Sequence, residues 1–148
     1  MQPKPVLVVE DDRNDVFLLQ RTFRRNNLIG ELHIVPTVDE GIAYLTGEGK
    51  YDDRNQFPYP VLMLLDLKLP GKSGFDLLAW LREQQGLCRL PVVILTSSAQ
   101  SDDINRAFDL GANSYLVKNP DPAGFLDLTK LLDLYWLTLN QKPELEPG

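Results

Sequence analysis

Residues 61–70 read VLMLLDLKLP: five apolar residues run directly into a carboxylate, Asp66, and the stretch closes on a proline. An apolar run without alternating polar positions is the pattern of a strand covered on both faces, as when helices pack on either side of a parallel sheet. A carboxylate is too costly to bury alone, so an acid ending such a strand must be paired, metal-bound or used chemically. The run therefore carries both an expected architecture and an expected site.

Four further runs resemble it: VLVV (6–9), LHIV (32–35), VVIL (92–95) and YLV (115–117). Segments with helical spacing lie between them. Val16, Leu19 and Phe23 follow Asp12 and Asp15, which read as an N-cap and its third-position acid, and Thr37 and Glu40 repeat that pattern before Ile42 and Leu45. Phe75, Leu78 and Leu81 mark a third helix, a fourth runs from Ser101 to a cap at Gly111, and a fifth spans 123–140. The glycine- and proline-rich stretch 46–60 is expected to be a loop. Five strands alternating with five helices predict a doubly wound α/β domain over 1–142, with 143–148 as a flexible C-terminal tail.

The 148 residues are 43% hydrophobic with a net charge of -6, enough for one buried core and without the basic stripe that nucleic-acid binding requires. No apolar run approaches the roughly 20 residues that span a bilayer, so no membrane contact and a cytoplasmic location are expected. One cysteine, Cys88, and one histidine, His33, allow neither an internal disulfide nor a Cys/His zinc site.

In such sheets ligands bind beyond the carboxyl ends of the strands. The residues there are Glu10, Asp11 and Asp12 after the first run, Asp66 after the third, Thr96 after the fourth and Lys118 after the fifth. Singly, Asp12 is a helix cap, Thr96 a strand-end hydroxyl and Lys118 a solvated amine; their arrival at one edge makes them a candidate site. Carboxylates about 4 Å apart repel by roughly 1 kcal/mol in water and about 4 kcal/mol at an effective dielectric near 20. A cation is needed, and Mg²⁺ fits because it accepts one or two carboxylates together with waters and phosphate oxygens.

VLVVEDD (6–12), LLDLKLPGKSGFDLL (64–78), PVVILTSSA (91–99) and GANSYLVK (111–118) resemble, in order, the four signature regions of the receiver domain of two-component response regulators. The resemblance implies a flavodoxin-like strand order 2-1-3-4-5 with five helices, and a phosphoryl group passed from a sensor histidine kinase to Asp66. It implies that Asp11 and Asp66 bind Mg²⁺ directly, Glu10 acts through water, and Lys68 lends its backbone carbonyl. Lys118 then contacts the phosphoryl group, while Thr96 and Tyr115 form a switch pair that reshapes a protein-binding surface. Such a chain catalyses only its own phosphorylation and dephosphorylation. Stretches 44–70 and 134–137 further resemble the small single-domain regulators that partner cyanobacterial and bacterial phytochromes. One departure is Asn119, which separates Lys118 from Pro120 where the family commonly has a Lys-Pro step, and leaves the conformation of that loop open.

Ten of the fifteen positions from 125 to 139 are apolar, more than one sheet-facing stripe absorbs. A homodimer through the fifth helix is expected, with Phe125, Leu132, Tyr135, Trp136 and Leu139 at its interface. The alternative function is a degenerate receiver that binds proteins without phosphorylation. An aspartyl phosphatase is disfavoured because Lys68 stands where its second acid would be, and nucleotide enzymes because EDDRND replaces a glycine-rich loop.

Overall fold

The computed structural model describes residues 3–146. Strands β1 (Lys4–Val9), β2 (Gly30–Val35), β3 (Leu62–Leu65), β4 (Val92–Thr96) and β5 (Ser114–Val117) form one parallel sheet in the expected order, β2-β1-β3-β4-β5. Along the strands alternate residues go to opposite layers, as the pleat requires. Leu7, Val9, Met63, Leu65, Val92 and Ile94 pack with Tyr44 and Leu45 of α2 (Val38–Thr46), Leu77, Leu78 and Leu81 of α3 (Gly74–Arg82) and Ala107 of α4 (Ser101–Asp109). Val6, Val8, Leu62, Leu64 and Val93 pack with Leu19 and Phe23 of α1 (Arg13–Arg25) and Phe125 and Leu132 of α5 (Pro122–Leu132). None of the described helices is long and apolar enough to cross a membrane.

The fifth helix departs from the expected one. It is α-helical only to Leu132 and continues as a π-helix over Asp133–Leu139. The wider turn puts Leu137, five residues after Leu132, on the same buried face, and the Asn140 N–H accordingly donates to the Tyr135 carbonyl at 2.6 Å. Buried Asp133 anchors the shift, its Oδ1 accepting from the Gly30 N–H at 3.1 Å. Phe125 and Leu132 of the expected interface are thus core residues, 5% and 4% exposed. Trp136 is half-buried, whereas Tyr135 and Leu139 are exposed together with Leu131 and Leu134.

The stretches read as a loop and as a tail both make defined contacts. Between α2 and β3 the chain winds a short 3-10 turn, Gly49–Asp52, and Tyr44, Tyr51 and Phe57 form an aromatic cluster with ring centroids 5.0–5.9 Å apart. Arg54 closes that loop by donating to the carbonyls of Tyr44, Leu45 and Phe57. At the C-terminal end Leu145 packs on the α2/α3 layer and the Glu146 N–H donates to the Gly86 carbonyl at 2.8 Å. Residues 147 and 148 of the expected tail lie outside the described residues.

Candidate functional site

Registers Val9↔Leu65 and Thr96↔Val117 end neighbouring strands level with one another, so the next residues leave the sheet side by side. The Asp66 N–H is still tied to the Val9 carbonyl (3.1 Å), that of Glu10 to Val35 (3.0 Å) and that of Lys118 to Thr96 (2.7 Å). Backbone pairing thereby fixes three ionisable side chains at one edge. They line a cavity of about 750 Å³ with Asp11, Asp15, Lys68 and Ser97, and its inner wall is apolar, including Leu19, Leu64 and Phe125.

Glu10 and Asp66 are buried, 6% and 7% exposed, while Asp11 is exposed. One carboxylate oxygen from each of the three lies within 4.8 Å of the others. These are hard oxygen donors on an open edge, and they suit a small divalent cation that keeps part of its water shell. The Lys118 ammonium also enters the cluster, donating to Glu10, to Asp15 Oδ2 at 2.7 Å and to Asp66 Oδ2 at 3.0 Å. The second Asp66 oxygen accepts from the Lys68 N–H at 3.3 Å, and Glu10 Oε2 from the Asp12 N–H at 3.2 Å. Asp12 itself caps α1, accepting from the N–H groups of Asn14 and Asp15.

Burial pushes the Glu10 carboxyl up to about 7; the Lys118 hydrogen bond opposes this and the Asp66 charge adds to it. Burial alone would lower the Lys118 ammonium, but hydrogen bonds to Asp15, Glu10 and Asp66 outweigh it and hold it above the usual lysine range. Lys118 is thus charged at every physiological pH, and the crowded glutamate titrates near neutrality. A divalent cation at these oxygens would favour ionised Glu10, so its binding would release that proton. We expect Mg²⁺ affinity, read by calorimetry, to fall by about three- to tenfold from pH 8 to pH 6; a pH-independent affinity would contradict the protonated glutamate.

Thr96 is fully buried and its hydroxyl has no hydrogen-bond partner among the described residues. It is absent from the cavity wall, where the next residue, Ser97, stands instead. Tyr115 is half-buried, and its hydroxyl donates to the Ser98 carbonyl at 2.9 Å. No peptide bond among the described residues is cis, so Asn119-Pro120 is trans, and Asn119 Oδ1 accepts from the Asp121 N–H at 2.9 Å. Asp15 and Ser97 were not singled out as site residues by the sequence. Asp15 sits 103 positions from the lysine it meets, and only the packing of α1 beside α5, the helix that follows Lys118, reveals the pairing.

A buried carboxylate with one face toward an ammonium and the other toward oxygens suited to a divalent cation can act as a nucleophile toward an anionic donor, because the ammonium, and a cation when bound, would offset the approach. Comparison with known proteins identifies the family. The family profile of the response regulator receiver domain matches residues 6–130. Response regulator Rcp1 of Synechocystis sp. is 34% identical over 135 residues, 91% of this chain and 90% of that protein. The crystal structure of the phosphorylated cyanobacterial phytochrome response regulator RcpA superposes with a TM-score of 0.87 at 33% identity, covering 96% of this chain and 99% of that one. The Mn²⁺-bound form of Rcp1 gives 0.84 at 33% identity, over 95% and 99%.

Proposed function

The chain belongs to the response regulator receiver family, and on that premise we propose that it takes a phosphoryl group from a sensor histidine kinase on Asp66 and changes its protein-binding surface in consequence. The observation that carries this reading is the Lys118 ammonium 3.0 Å from Asp66 Oδ2, beside the oxygens that Glu10, Asp11 and Asp66 gather at one edge. An Asp66 oxygen attacks phosphorus as the N–P bond of a phosphohistidine breaks, leaving an acyl phosphate and a neutral imidazole. Asp11, Asp66 and the Lys68 carbonyl would hold Mg²⁺, with Glu10 acting through water, and the bound cation would supply charge neutralisation on the transferring group. Lys118 stabilises the phosphoryl oxygens, as an ammonium already directed at Asp66 can do without reorganising.

The unpartnered Thr96 hydroxyl supports a switch role. An orphaned buried hydroxyl forfeits about 1–3 kcal/mol, and a phosphoryl oxygen on Asp66 offers it an acceptor once the hydroxyl turns toward the cavity. Tyr115 then exchanges its Ser98 contact for a place nearer the sheet, and the surface around α4 and β5 changes. Likeness to Rcp1 and RcpA favours a phytochrome-type kinase as the donor. Phosphotransfer profiling against autophosphorylated kinases tests this: label should leave a phytochrome kinase fastest, and faster transfer from an unrelated kinase, or none from any, would count against it.

A homodimer is part of the same reading. Exposed Leu131, Leu134, Tyr135 and Leu139 leave an apolar face on the α5 and π-helical segment that a second copy can cover. Sedimentation at micromolar concentration should show the dimer, and Leu134→Glu should dissociate it. A monomer at all concentrations, with and without a phosphoryl mimic, would remove this element.

A further inference from the structure

Asp15 is the third residue of α1, where an acid ordinarily reaches back to the N-cap N–H. That N–H, from Asp12, donates to Glu10 instead, and the Asp15 carboxylate turns across the cavity to the Lys118 ammonium at 2.7 Å. An ammonium has three N–H donors. Here all three find carboxylates, of Glu10, Asp15 and Asp66, and the contact with Asp66 is the longest at 3.0 Å. Asp15 is not among the residues whose oxygens gather as a cation site.

We infer that Asp15 is a positioning residue for Lys118: it draws the ammonium toward α1 and competes for it with a phosphoryl group on Asp66, so that the site holds that group less tightly than its other residues would allow. This rests on the phosphoryl-acceptor reading above. Two effects act in one direction. A phosphoryl group presents new acceptor oxygens to Lys118 while Asp15 retains one of the three donors, and the Asp15 charge repels the incoming dianion across the same nitrogen. Asp15 also helps to hold the amine in place, but Glu10 grips it from the other side, so losing Asp15 leaves Lys118 at the site.

The test is affinity for beryllofluoride, a phosphoryl mimic, at saturating Mg²⁺. Asp15→Asn should bind it about tenfold more tightly and should lose its acyl phosphate more slowly after labelling with acetyl phosphate. Asp15→Glu, which returns the charge on a longer stem, should stay near the parent protein. Asp15→Ser serves as a second neutral variant, and neither touches the Asp12 cap. Tightening is the informative direction, because weakened structural support cannot produce it. Unchanged or weaker binding by the neutral variants, or equal tightening by Asp15→Glu, would overturn the inference. If the parent protein neither binds beryllofluoride nor takes up label, the acceptor reading itself fails, and this inference with it.

Discussion

Asp66→Asn should take up no phosphoryl group from acetyl phosphate and Mg²⁺ under conditions that label the parent protein fully. The amide has the shape of the carboxylate and keeps an oxygen for the Lys118 ammonium, now 3.0 Å from Asp66 Oδ2, so the sheet edge is preserved. What it lacks is a nucleophilic anionic oxygen, and that loss is a matter of chemistry rather than of packing. The variant should be no less stable than the parent, because it removes one of the acids crowded around Lys118. The measurement is acid-stable, base-labile label on the purified protein, with circular dichroism as the folding control. Label retained by Asp66→Asn would assign the acceptor role to another carboxylate of the cluster, Glu10 or Asp11.

Gly74→Ala should unfold the protein more easily than any conservative change at the cavity wall. Gly74 opens α3 against the segment leaving β3, and its N–H donates to the Leu67 carbonyl at 2.9 Å. A Cβ there would overlap the Asp66 carbonyl oxygen and lie 2.9 Å from the Leu67 Cα, both rigid backbone atoms. Either α3 or the Asp66 segment must move. We expect a loss of about 3 kcal/mol or somewhat more in urea denaturation, at the upper end of overpacking costs, and slower phosphoryl uptake by whatever fraction remains folded, because the displaced backbone carries the acceptor. Gly71→Ala is the control. Gly71 has a φ of +77° but open space around its Cβ, so only backbone strain of about 1–2 kcal/mol applies. Equal costs at the two positions would show that the tight approach of α3 does not matter.

The contrast between these glycines marks what a sequence reading reaches. The five strands and their order could be expected because strands buried on both faces are continuously apolar and the signature stretches stand in sequence. Glu10, Asp66 and Lys118 could be placed together because parallel strands end at one edge, so neighbours in space are found by counting one residue past each run. The fifth helix was misjudged because three-four spacing assumes an α-helix throughout. The π-turn after Leu132 answers to Asp133 meeting the Gly30 N–H, a contact between residues 103 positions apart. The stretch 46–60 was expected to be a loop because glycine and proline dominate its ends, yet Tyr51, Arg54 and Phe57 give it a packed interior. Asp15 was read as a cap acid, and only tertiary packing directs its carboxylate to Lys118.

Borohydride converts an acyl phosphate on aspartate to homoserine and leaves free carboxylates untouched, so reduction of freshly labelled protein followed by peptide mapping reads the acceptor directly. Reduction at residue 66 alone, dependent on Mg²⁺ and on prior labelling, is the predicted result. Reduction at Asp11 or elsewhere, or none at all on folded and Mg²⁺-loaded protein, would contradict the assignment of Asp66 as phosphoryl acceptor.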